Sequence, residues 1–106
     1  MRPASPSFHD PRLHQELVAA HSAADAAVAL AEAEKRRIEA ALTYTKQQLA
    51  RVQKLAVEGT VSKAALDKAK ADADTNEAAL ASAGAMLQVR RNERDSAAVQ
   101  LKSPGE

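Results

Sequence analysis

Apolar residues recur along this chain at alternating spacings of three and four. In the first half, positions 17, 21, 24, 28, 31, 35, 38, 42, 45, 49, 52 and 56 carry Leu17, His21, Ala24, Val28, Ala31, Lys35, Ile38, Leu42, Thr45, Leu49, Val52 and Ala56, nine of the twelve apolar. That spacing keeps side chains on one stripe of a helix and marks a heptad seam. The neighbouring register (Ala20, Ala27, Ala41, Leu55) is also apolar, so the stripe is broad. In the second half the seam reads Leu66, Ala69, Ala73, Asn76, Leu80, Ala83, Leu87, Arg90, Arg94, Ala97 and Leu101, eight of eleven apolar. Arg90 and Arg94 weaken it, so the far end is expected to be looser or to meet something else.

Helix breakers divide the chain where the seams end. Pro3, Pro6 and Pro11 stand at the start, Gly59-Thr60 near the middle and Ser103-Pro104-Gly105 at the close. Asp10 followed by Pro11 predicts a helix start, with a carboxylate N-cap before a Pro at the first helical position. Ser62 is the N-cap expected for the second helix, although Ala65 stands where a capping box would place Glu. Gly59 supplies the left-handed residue that ends the first helix. The expected fold is all-α: two long antiparallel helices forming a coiled-coil hairpin over 10–102. Helix 1 spans about 11–58, the tip loop 58–62 and helix 2 about 63–100, between irregular segments 1–9 and 103–106. Helices of ~40 residues at 1.5 Å per residue make a rod about 60 Å long. Folding back about so short a loop brings Thr45 near residues 74–76. Thr45 and Asn76 then either form a polar layer that fixes register or both face water at a soft spot.

Composition accounts for the thinness of this rod. Of 106 residues 26 are Ala, whereas Leu, Ile, Val and Phe together number 19. Ala buries little area, so no thick core can be built, but it is the strongest intrinsic helix former and lets helices approach closely. The low content of bulky residues is not coupled to the high net charge of a disordered chain, since the balance is +1.

Several chemistries have no basis in these residues. Without cysteine there is no disulfide framework, thiolate metal site or Cys nucleophile. His9, His14 and His21 are the only histidines, and no ligand pattern selects Glu16 or Asp25 beside them, so no metal and no cofactor are expected. No phosphate loop, HExxH or G-x-S-x-G is present, Asp72 and Asp74 lie on different helical faces, and a two-helix rod offers no deep pocket. An enzyme is not expected. Lys35-Arg36-Arg37 and the Arg90, Arg91, Arg94 group either meet an anionic partner or pair with Glu32, Glu34, Glu39, Glu93 and Asp95, and local pairing is the expectation. The near-neutral balance gives no support to nucleic-acid binding. No apolar run is long enough to span a bilayer, the Ala-rich stripe is a poor membrane anchor, and the N-terminus lacks the apolar region of a signal peptide.

The residues around the loop, from Leu49 through Arg51, Leu55, Gly59 and Ser62 to Leu66, Asp67 and Ala69, resemble the hairpin tip of the periplasmic adaptor proteins, also called membrane fusion or HlyD-like proteins. The family pattern is Arg, Leu four residues later and Ser seven after that, and Arg51, Leu55 and Ser62 match it in type and spacing. Asp10-Pro11 resembles the opening of the family's first hairpin helix, and Leu101 to Gly105 resembles the exit toward a lipoyl-like domain. The resemblance covers nearly the whole chain but only the hairpin of a longer adaptor. It implies a periplasmic module whose parent is anchored to the inner membrane. It also implies service in a tripartite efflux pump or type I secretion system, with the tip docked on a TolC-like outer-membrane channel. Partners would then be the channel, neighbouring adaptor protomers, and an inner-membrane transporter reached through the rest of the parent. By the family's assignment Arg51 makes charged contacts to the channel, Leu55 fills a small apolar groove and Ser62 hydrogen-bonds at the tip. Each also has an ordinary structural reading: an exposed cation, seam packing and an N-cap. The competing functions are a generic cytoplasmic antiparallel coiled-coil spacer, dimerising through its Ala stripe, and an anion binder using the Arg90, Arg91, Arg94 face. Which transporter class is served stays open at this point.

Overall fold

Uninterrupted helix-forming sequence on either side of Gly59 gives two elements: α1, Pro11–Val57, and α2, Lys63–Lys102. The structure, a computed structural model, describes residues 11–102. Asp10, His9 and the end segments 1–9 and 103–106 lie outside the described residues. α1 stops one residue before the expected limit because Glu58 already belongs to the turn, and α2 runs two residues further than expected. At 1.5 Å per residue the 47 residues of α1 span about 70 Å. α1 outruns the 40-residue α2 at the end away from the loop.

The reversal is built from backbone geometry. Gly59 has φ +77°, and among the described residues no non-glycine has a positive φ. Its N–H donates to the Ala56 carbonyl at 3.0 Å, and the Thr60 N–H reaches back to the Leu55 carbonyl at 3.0 Å. Those two bonds are the Schellman pattern, which satisfies the last orphan carbonyls of α1. On the other side Ser62 Oγ accepts from the Ala65 N–H at 3.1 Å, and its carbonyl accepts from Leu66 N–H at 3.2 Å, so it caps α2 as expected.

Every seam position named in the sequence is buried or half-buried, including Arg90 and Arg94. The seam therefore continues past those arginines to Ala97 and Leu101. The most enclosed residues are Val28, Ile38 and Leu42 on α1 and Ala69, Ala73 and Leu87 on α2. Three cross-helix pairs set the register: Thr45 with Asn76, Lys46 with Glu77 and Glu32 with Arg91. Partners at one level thus have numbers adding to 121–123. On that register Leu49 and Val52 share levels with Ala73 and Ala69, large against small, which lets the helices close up. Across the long axis the Cα atoms span only 16 × 15 Å, and among the described residues no side chain is completely sealed from solvent.

Candidate functional site

The loop end of the rod is where both helices and the turn present groups together. Arg51 and Leu55 are four apart on α1, hence one above the other on a single face. Arg51 is exposed, and its Nη2 donates to Gln48 Oε1 one turn back, which holds the guanidinium along the helix. Leu55 is half-buried, and its carbonyl accepts both the Thr60 N–H and the Thr60 hydroxyl, each at 3.0 Å. Gly59 is exposed, and a Cβ there would meet nothing within 4 Å, so the site needs glycine for its backbone and not for room. Ser62 is exposed, and its cap uses an oxygen lone pair, leaving the hydroxyl hydrogen free to be donated outward.

Gln48 and Val57 were not singled out from the sequence, and Thr60 only as part of the helix break with Gly59. Thr60 ties the loop to Leu55 a second time, Gln48 orients Arg51, and Val57 is 89% exposed beside the turn. The signal for Val57 was available: an apolar residue off the seam, two positions before the turn glycine.

The two flanks of the rod differ. On one, Glu32 meets Arg91 at 3.3 Å and Lys46 meets Glu77 at 3.8 Å, straps that cross the seam. On the other, open grooves of 480, 440 and 310 Å³ follow one another from Leu30 and Met86 toward Gln48 and Ala65. Four further ion pairs are local, three of them within the expected groups: Arg37 with Glu34 at 2.8 Å, Arg90 with Glu93 at 3.1 Å and Arg94 with Asp95 at 3.3 Å, beside Lys68 with Asp72 at 2.9 Å. The hydrogen bond from Arg37 holds the Glu34 carboxyl below the usual carboxylate range and raises Arg37 in return. Among the described residues no group of three His, Cys, Asp or Glu side chains could hold a metal ion. His14 is exposed and His21 half-buried on α1. No described helix is long and apolar enough to cross a membrane.

The fold is a thin antiparallel hairpin of two helices. A family model for the alpha-helical hairpin domain of RND membrane fusion proteins matches residues 27–102, more than two thirds of the chain. The chain belongs to that family, whose members are adaptors of transport assemblies and not catalysts. The match agrees with the resemblance seen at the tip and narrows the adaptor family, open in the sequence, to the RND membrane fusion proteins. Comparison with curated proteins and with solved structures gave no match.

Proposed function

We propose that this hairpin is the projecting arm of an RND-class periplasmic adaptor and that its tip docks on a TolC-like outer-membrane channel. The observation that carries the reading is the arrangement at the turn. The Schellman bonds and the Ser62 cap fix the ends of both helices, so Arg51, Leu55 and Ser62 stand on a preorganised surface at the end of a narrow rod. Preorganisation lowers the ordering cost of docking. In this reading Arg51 uses its remaining N–H groups on a carboxylate or carbonyl of the channel, Leu55 fills an apolar notch and Ser62 donates its hydroxyl hydrogen. Gly59 keeps the turn small enough to enter. The rest of the parent chain, entered through the segments flanking 10–102, carries the inner-membrane anchor and the contacts with the transporter.

The test uses the full-length adaptor in cells. Arg51→Asp, Leu55→Asp and Ser62→Asp are each expected to abolish efflux while the adaptor accumulates normally and the hairpin keeps its helical circular dichroism. Transport unchanged in all three variants overturns the reading.

A further inference from the structure

We propose that Val57 is a docking residue of the tip, and that the partner wraps the outer face of α1 from Leu55 round to Val57. Its surface is concave, with an apolar notch at each edge and carboxylates between them. The partner is the channel of the tip-docking reading, on which this assignment rests. The exposed valine and the order of residues round α1 do not depend on it.

The last two turns of α1 lay this surface out. Successive helical residues are about 100° apart. Passing round the side of α1 away from α2, the order is therefore Leu55, Arg51, Lys54 and Val57, at steps of about 40°, 60° and 60°. Leu55 and Val57 stand on opposite flanks, about 160° apart, with the two cations between them. A flat surface that reached Leu55 and Arg51 would leave Val57 in water. A concave one touches all four.

Val57 has little to do in the hairpin itself. It is 89% exposed, the most exposed of the large apolar side chains among the described residues, whereas Leu55 is half-buried. Its β-branch makes it a poorer helix former than the alanines that fill the rod. Its backbone, in contrast, is held in place. The Glu58 N–H donates to the Lys54 carbonyl at 3.2 Å, and the Gly59 N–H to the Ala56 carbonyl at 3.0 Å. A stiff side chain on a fixed backbone loses little freedom when it is buried by a partner.

Charge points to the same occupant. Between 51 and 63 the chain has three cations, Arg51, Lys54 and Lys63, and one carboxylate, Glu58. The six ion pairs of the described residues all lie outside this stretch. Docking an acidic surface here therefore breaks no existing ion pair, and the exposed cations draw it in. Lys54 also complements the negative end of the α1 dipole, so the decisive residue is Val57.

The test measures binding of the purified full-length adaptor to a TolC-like channel by surface plasmon resonance. Val57→Asn removes the apolar contact without adding charge, and is expected to weaken binding about tenfold, the worth of one buried valine. Val57→Ile is expected to retain binding. Val99→Asn, at a position 63% exposed on α2 far from the tip, is expected to leave it unchanged. Thermal midpoints should be the same in all three variants. Wild-type binding by Val57→Asn overturns the proposal, as does an equal loss in Val99→Asn. A loss in Val57→Asn that comes with a lowered midpoint assigns the residue to the fold and also overturns it. If Arg51→Asp weakens binding and Val57→Asn does not, tip docking stands and the wrapped contact falls. If Arg51→Asp leaves binding intact, the tip-docking reading fails and this assignment fails with it.

Discussion

Asn76 Nδ2 donates to Thr45 Oγ1 at 3.2 Å across the hairpin, and to the Ala41 carbonyl at 3.3 Å. The Thr45 hydroxyl in turn bonds back to its own helix, to the Ala41 and Leu42 carbonyls at 3.1 and 3.0 Å. Both side chains are half-buried, so the pair is a polar layer within the seam and not a soft spot facing water. In a seam made largely of Ala and Leu, sliding one helix by a heptad exchanges similar residues, so away from the loop, whose bonds such a slide would break, apolar contacts alone specify register weakly. The same slide would strip Asn76 of both acceptors, so the layer specifies register.

Asn76→Leu should therefore separate stability from register. Thr45 keeps its intrahelical bonds, so no polar group is orphaned, and Leu adds buried apolar area. The thermal midpoint should stay level or rise. Disulfide trapping between cysteines at 46 and 77 should fall in favour of pairs one heptad away. Exclusive 46–77 trapping in the Leu variant would show that the layer does not set register.

Gly59→Ala should cost about 1 kcal/mol, the penalty for placing a Cβ at positive φ, read as a lowered urea midpoint with unchanged slope. Because a Cβ there meets nothing within 4 Å, the whole effect should come from the backbone. Gly59→Asn should recover part of it, since Asn tolerates the left-handed region better than Ala. Equal losses in the two variants would point to a contact at the site and not to φ.

Much of this was legible in the sequence because the governing effects are local. Pro11, Gly59 and Ser62 punctuate the helices through backbone chemistry, and the three–four spacing marks the seam wherever the partner helix lies. Short loop length settles antiparallel pairing, which placed Asn76 near Thr45. The difference between the flanks was not legible. Glu32 and Glu34 look alike in sequence, both acidic and beside the seam. Only the cross-helix register shows that Glu32 meets Arg91 while Glu34 borders a groove with Met86. Val57 was passed over because seam reasoning follows apolar residues that pack, and this one does not.

Leu87→Ala should be among the costliest single truncations in the rod. Leu87 is 3% exposed, the most enclosed of the core residues, and removing its side chain leaves a gap that Ala-rich neighbours cannot fill. A loss of about 2–3 kcal/mol is expected, at the lower end of the usual range for buried leucine because a two-helix rod can close partly around the gap. Leu30→Ala, at a position 73% exposed, should change the chemical-denaturation free energy of the dilute monomer by less than about 0.5 kcal/mol. Comparable losses at the two positions would contradict the burial pattern.

Ser62 joins folding to the proposed docking, and two substitutions pull the roles apart. Ser62→Ala removes the acceptor of the Ala65 N–H, so it should cost about 1 kcal/mol of hairpin stability. It also removes the outward hydroxyl donor. Ser62→Asp keeps an N-cap acceptor and puts a negative charge at the α2 N-terminus, where the helix dipole favours it. The Asp hairpin should therefore denature at or above the wild-type midpoint. If the serine hydroxyl donates to the channel, the carboxylate has no proton to give and meets its acceptor with repulsion. Efflux should then be lost in the more stable variant and only weakened in the less stable one. Thermal denaturation of the hairpin and drug susceptibility of cells carrying the full-length variants read the two properties independently. If efflux instead follows stability, with Asp active and Ala impaired, Ser62 acts only as a cap and the tip is recognised through Arg51 and Leu55.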